Sequence, residues 1–253
     1  MINSEKKQTK SIKSEDKYRD AYNRVSFYKD LLAHDINNIL QNINSSSELI
    51  SSYSEDPLKS DKLKYMNQII QEQVIRGKNL IHNIRKLSLF EKEELEFTKK
   101  DVHEVLKKAI EYILNRFQSR EIKFKVEILD KNHSIYANQF LIEVFENILI
   151  NAVIHNINQI VEIFIKISKT AYNGSNHIKI EFIDNGIGIP DKMKKSIFQS
   201  SKNYFNCEKG MGIGLSLVKT IVKSYKGKIR VKNKIKKDYS KGSNFILLIP
   251  EAA

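Results

Sequence analysis

The chain has 253 residues, enough for one large domain or two modest ones. Hydrophobic residues make up 41% and charged residues 29%, a globular composition that excludes disorder throughout. The formal net charge of +13 permits an anionic partner, but solvated lysines produce the same balance, and the single Cys207 excludes an intrachain disulfide or a multi-cysteine metal site.

Residues 1–19 read as a polar tail rich in Lys, Ser and Glu, unlike a secretory leader. From Tyr18 an apolar stripe runs through Tyr22, Val25, Leu32, Ile36, Ile39, Ile43, Ile50 and Tyr53, in the steps of a long amphipathic helix. The segment 51–57 ends in Pro57 and predicts a turn. A second stripe follows: Leu63, Met66, Ile70, Val74, Gly77, Ile81, Ile84 and Leu87. Residues 20–92 are therefore expected as an antiparallel helical hairpin. A hairpin alone buries both stripes poorly, whereas two hairpins paired as a four-helix bundle bury them well, so a homodimer is expected. The stretch 91–101 reads as a linker.

Residues 100–253 predict a second domain. A helix is expected from Val102 to Phe117, and alternation from Ile122 to Ile128 predicts a strand. Asn138 to His155 has helical period, and Val161–Ile167 and Ile178–Ile183 alternate again. Ile213 to Tyr225 reads as a helix after a glycine cluster; Ile229–Val231 and Phe245–Ile249 close the chain as strands. The expected fold class is α+β: the helical hairpin followed by a two-layer α/β sandwich. No run reaches the roughly 18 apolar residues of a membrane span, and the longest, Phe140–Ile154, is broken by Glu143, Glu146, Asn147 and Asn151. A soluble, cytoplasmic protein with no membrane contact is expected.

Four motifs in this second domain carry chemistry. Asp184-Asn185-Gly186-Ile187-Gly188 follows a strand; its glycines let backbone approach a ligand, and its carboxylate can accept from an exocyclic amine. Taken alone it is an ordinary turn. Gly210-Met211-Gly212-Ile213-Gly214-Leu215 opens a helix, where bare N–H groups suit phosphate oxygens. It follows no strand and lacks a Lys-Ser/Thr ending, which argues against a dinucleotide fingerprint or a P-loop. Asn147 and Asn151 share one face of an otherwise apolar helix. They fit either an internal hydrogen-bond network or carbonyl ligands for a Mg²⁺ that already holds phosphates. Gly242-Ser243-Asn244-Phe245 precedes the last strand as a small-residue turn.

The order of these motifs resembles the ATP-binding domain of histidine kinases, the Bergerat-type fold shared with gyrase, Hsp90 and MutL. The stretch Ala137–Val144 also resembles that family's approach to its asparagine box. The resemblance implies ATP and Mg²⁺. Asn151 would ligate the metal and Asp184 would take the adenine amine. Gly186 and Gly188 would line the base pocket, and Gly210, Gly212 and Gly214 with Leu215 would face the phosphates. Pro190–Lys209 would be a lid, with Ile197-Phe198 as its phenylalanine box. Asn147 stands where the gyrase branch has a water-activating Glu, so simple ATP hydrolysis is expected to be poor.

On the first helix, His34 lies about 200° round from Leu32 at ~100° per residue, off the apolar stripe. Alone it reads as a solvated surface histidine. Asp35 can orient it or take its proton, and Asn38 shares its face. The segment resembles the histidine-kinase phosphoacceptor box, so that the resemblance covers about 20–253. It implies that His34 takes the γ-phosphoryl of ATP and passes it to an aspartate of a response regulator. Asp35 would assist, and Asn38 would hold the hydrolytic water of a phosphatase. Two departures stand out: Ile39 replaces a common Pro, and Ile154 replaces a common Lys near the phosphates, for which Lys202 or Lys209 would compensate. Ile154 motivates an alternative, a nucleotide-gated dimeric scaffold whose catalysis has lapsed. A DNA-clamp ATPase is disfavoured by Asn147 and by the His34 helix, so nucleic acid is not an expected partner.

Overall fold

The computed structural model describes Ala33 and residues 36–53, 60–92, 96–129, 132–198 and 214–252. The chain divides into two compact units, Met1–His82 and Asn83–Ala253. The expected hairpin is present as helices α1 (36–53) and α2 (Ser60–Lys92). They run antiparallel. A Cβ on Gly77 would sit 4.0 Å from Ile39, while the Lys62 ammonium lies 5.6 Å from the Tyr53 ring centroid. Among the described residues of this unit, Ile39 and Leu80 are the only buried apolar ones. Leu40, Tyr65, Val74, Ile75 and Ile81 are exposed, so one hairpin covers only part of its own stripe.

The second unit holds strand β1 (Thr98–Asp101), helix α3 (Val102–Arg116), strands β2 (Glu121–Ile128) and β3 (Ser134–Ala137), and helix α4 (Leu141–Ile154). Strands β4 (Ile160–Tyr172) and β5 (Ser175–Asp184) follow, then two short 3₁₀ turns, helix α5 (Gly214–Ser224) and strands β6 (Lys228–Ile235) and β7 (Asp238–Pro250). The main sheet has the order β2-β4-β5-β7-β6, with β2 and β4 parallel and the other neighbours antiparallel. Alternate residues of β4 (Val161, Ile163, Ile165, Ile167) and β5 (Ile178, Ile180, Phe182) are buried, as period-two alternation requires. They pack under Leu106 and Ile113 of α3, Phe145, Ile148 and Leu149 of α4, and Leu217 and Ile221 of α5. This is a two-layer sandwich with one core.

Several local features explain the element ends. Asp101 caps α3 by accepting from the His103 and Glu104 amides at 2.7 and 3.2 Å. Asn173 and Gly174 both have positive φ, the geometry of a tight two-residue hairpin turn, so β4 and β5 extend beyond the strands expected from alternation. The edge strand β6 carries exposed Lys228, Arg230 and Lys232, which discourage pairing with another chain.

Three expectations need correction. The supposed linker 91–101 contains β1, which pairs antiparallel with β3 in a separate two-stranded ribbon. α4 begins at Leu141 and not at Asn138; the Asn138 side chain instead accepts from the Phe140 amide at 3.0 Å, just ahead of the helix. Gly242-Ser243-Asn244-Phe245 lies inside β7, not before it, because Ser243 and Asn244 already pair with Asn233 and Lys232.

Candidate functional site

The asparagine helix, the Asp-Asn-Gly loop and the start of α5 converge in the second unit. α4 is apolar over most of its surface because it lies between α3, α5 and the sheet, and Asn147 and Asn151 occupy its half-buried side. The Asn147 amide donates to the Glu143 carbonyl at 2.8 Å, and its Oδ1 faces the start of α5. A Cβ on Gly214 would lie only 2.6 Å from that oxygen, so the first residue of α5 must be small to sit against α4. The Asn151 side chain has no hydrogen-bond partner among the described residues. A half-buried amide oxygen left open in this way suits an incoming hard cation or a water attached to one.

Asp184 ends β5 and is buried. Its Oδ1 accepts from the Gly186 amide at 2.8 Å and from the Ser243 amide at 3.1 Å. Burial pushes its carboxyl above the ordinary carboxylate range, and the two amide donors oppose that rise. One oxygen is thus fixed by backbone, which leaves the other able to accept from a further donor. Gly186 passes so close to the end of α4 that a Cβ would lie 2.6 Å from the His155 carbonyl. That same carbonyl accepts from the Ile187 amide at 3.1 Å. Gly188 has φ +69°, and a Cβ there would lie 1.6 Å from the Tyr239 carbonyl oxygen. Both glycines are therefore required by close backbone approach. Beyond them Ile197 and Phe198 are buried, with the Phe198 ring edge-on to Phe245 at 6.2 Å.

Of the expected site residues, the structure brings Asn147, Asn151, Asp184, Gly186, Gly188, Gly214 and Leu215 into this one unit. Asn38 is half-buried on α1 in the first unit. His34, Asp35, Gly210, Gly212, Lys202 and Lys209 lie outside the described residues.

Two groups of residues escaped the sequence reading. One is an amide network behind the loop, built from Arg120, Asn156, Asn158 and Asn185. Its signal was the Asn-x-Asn directly after the asparagine helix. The other is a charged cluster on α4. Lys86, from the end of α2, forms an ion pair with Glu143, and both side chains are largely covered. Glu146, on the same helix as Glu143, is raised from 4.5 to about 7, chiefly by burial and then by Glu143; Lys86 and Arg116 oppose the rise. Nothing in the pattern of α4 marked this carboxyl as different from a solvated one.

Comparison with known proteins agrees with this geometry. Residues 136–253 match the family described as histidine kinase-, DNA gyrase B-, and HSP90-like ATPase. Cyanobacterial phytochrome B of Nostoc sp. is 27% identical over 232 residues, covering 87% of this chain and 29% of that protein. Alginate biosynthesis sensor protein KinB of Pseudomonas aeruginosa is 25% identical over 186 residues, covering 72% of this chain and 30% of that protein. The chain thus spans less than a third of the length of these relatives. Among solved structures, histidine kinase ThkA in complex with response regulator protein TrrA aligns with a TM-score of 0.63 at 21% identity, over 90% of this chain and 63% of that one. Full-length ShkA in complex with AMPPNP aligns with a TM-score of 0.57 at 17% identity, over 89% and 46%. These two alignments run through both the hairpin and the sandwich. Residues 136–253 thus form a domain of this ATPase family, and with a helical hairpin before it the chain matches the catalytic region of sensor histidine kinases.

Proposed function

We propose that this chain is an ATP-dependent protein-histidine kinase that phosphorylates its own His34 and passes the phosphoryl group to an aspartate of a response regulator. The observation that carries the reading is the convergence just described: an open Asn151 amide, a buried Asp184 with one oxygen fixed, and glycine-enforced contacts that set the Asp184 loop and the start of α5 against α4. In this reading Asp184 accepts from the adenine amine, which guanine lacks at that edge. Gly186 and Gly188 let the loop lie flat against the base. The backbone at the start of α5, with Gly210 and Gly212 before it, donates to the phosphates.

The donor set fits Mg²⁺ carried in with the nucleotide: Asn151 supplies an uncharged oxygen, and phosphates and waters supply the rest. Such a cation neutralises phosphate charge when bound. The remaining chemistry is positioning. A ring nitrogen of His34 attacks the γ-phosphorus, the bond from that phosphorus to the bridging oxygen breaks, and ADP leaves with the electron pair. Asp35 orients the imidazole and takes its proton. Asn147 stands where the gyrase branch has its water-activating Glu, so simple hydrolysis is poor and the phosphoryl group is kept for the histidine. The exposed apolar residues of the hairpin support a homodimer, in which a second copy covers them.

A second reading, a nucleotide-gated scaffold without catalysis, is favoured by Ile154. It is exposed at the end of α4 and offers the phosphates no charge. Titration calorimetry with ATP and Mg²⁺ tests the nucleotide half of both readings. Asp184→Asn is expected to weaken binding about 10- to 100-fold, as loss of a charged acceptor does. Asn151→Ala is expected to abolish the Mg²⁺ dependence of binding while ADP without metal still binds. Unchanged affinity in Asp184→Asn would remove the assignment.

A further inference from the structure

We infer that Arg120, acting through Asn156 and Asn185, is a positioning residue that presets the Asp184 loop for the nucleotide base. The inference deepens the proposed nucleotide site and rests on that reading. Arg120 follows α3 at the corner leading into β2, with its backbone held by donation to the Phe117 carbonyl at 2.9 Å. Its Nη2 donates to two carbonyls of the segment after α4, Asn156 at 2.9 Å and Asn158 at 3.1 Å. A planar guanidinium holds such a fork with little further loss of freedom.

The segment so held passes the constraint on. Asn156 is buried. Its Oδ1 accepts from the backbone amide and the side-chain amide of Asn158, both at 3.0 Å, and its Nδ2 donates to Asn185 Oδ1 at 2.6 Å. Asn185 Oδ1 also accepts from the Glu162 amide at 2.9 Å, and its Nδ2 donates to the Ile160 carbonyl at 3.1 Å. The Asn158 side chain reaches the Asn185 carbonyl in turn. Asn185 is therefore gripped at its side chain and its carbonyl, and it sits directly between Asp184 and Gly186. None of these groups points at a ligand. Their effect is to fix the loop that does, so that binding costs little ordering. The grip starts from a single exchangeable side chain on an element that carries none of the four motifs.

Three full-chain variants test this: Arg120→Ala, Arg120→Lys and Asn156→Ala. ADP affinity is measured by calorimetry, thermal midpoint without nucleotide, and amide hydrogen exchange at Gly186 and Ile187. The expected result is an ADP affinity weakened about tenfold in Arg120→Ala and Asn156→Ala, with partial recovery in Arg120→Lys. Exchange at Gly186 and Ile187 should accelerate in the alanine variants, while exchange in the centre of β4 and β5 stays unchanged. In a phosphorylation assay the KM for ATP should rise with kcat unchanged. A folded Arg120→Ala that binds ADP as tightly as wild type overturns the inference. So does exchange that accelerates equally across the sheet, since Arg120 would then only support the fold. A wild-type chain that binds no adenine nucleotide overturns the functional reading itself, and the exchange at Gly186 still reports whether the grip exists.

Discussion

Asp184 combines two demands that are hard to meet together. In the proposed role it must be buried enough to read an amine in a dry site, yet stay able to accept. The Gly186 and Ser243 amides meet this by stabilising one oxygen while burial raises the pKa. The glycines around it are fixed by contact distances and not merely by flexibility. Gly188→Ala would drive a Cβ into the Tyr239 carbonyl from a φ of +69°, and a loss of more than about 2 kcal/mol in urea unfolding is expected. Gly174, with positive φ but open space around it, should tolerate alanine far better. Glu146 gives a pH test with a definite sign. Its carboxyl binds a proton more tightly in the folded chain, being raised from 4.5 to about 7. Its contribution therefore makes stability fall as pH rises through that window. Glu146→Gln should flatten that part of the slope and raise the urea midpoint at about pH 8 relative to wild type, with little gain at about pH 4. An unchanged slope would contradict the assignment.

Elements with strong periodicity were legible before the structure. α3, α4, α5 and the centres of β2, β4 and β5 follow directly from their apolar spacing, and Asp184 was placed correctly at a strand end. The ribbon β1–β3 was not legible, because Thr98-Lys99-Lys100-Asp101 has no apolar residue at all; only its pairing with Ser134–Ala137 makes it a strand. The Asn173-Gly174 turn was a readable hairpin signal that the polar residues on either side obscured. In the amide network the Asn-x-Asn was a signal, but its anchor Arg120 was invisible for a different reason. Its partners are backbone carbonyls, which every sequence has, and only the fold brings them within reach. The last turns of α2 belong to the second unit through Lys86 and through Phe90, whose ring lies 5.3 Å edge-on from Phe140. Lys86→Ala strips the cation from Glu143 and is expected to cost about 1–3 kcal/mol, read by urea unfolding. It should also push the Glu146 titration further upward, since Lys86 opposes its rise.

At the scale of the whole molecule, the two units divide the labour that the family resemblance implies, with the phosphoacceptor segment on the first and the nucleotide motifs on the second. Ten of the basic residues fall between Lys219 and Lys241 against a single acidic Asp238. They lie on α5 and on the β6–β7 edge, where they are solvated, so the net charge describes that edge more than the site. Ile81 is 65% exposed on a hairpin that otherwise repeats apolar residues on that face. Ile81→Lys is expected to shift sedimentation from dimer to monomer, and a wild-type chain that sediments as a monomer would contradict the bundle. The most direct test of the whole account is incubation with γ-labelled ATP and Mg²⁺, comparing wild type with His34→Ala and Asn151→Ala. The account predicts an acid-labile, base-stable label on the wild type that both variants lose. Tight ATP binding with no label on the wild type, or a label that survives in His34→Ala, would contradict it.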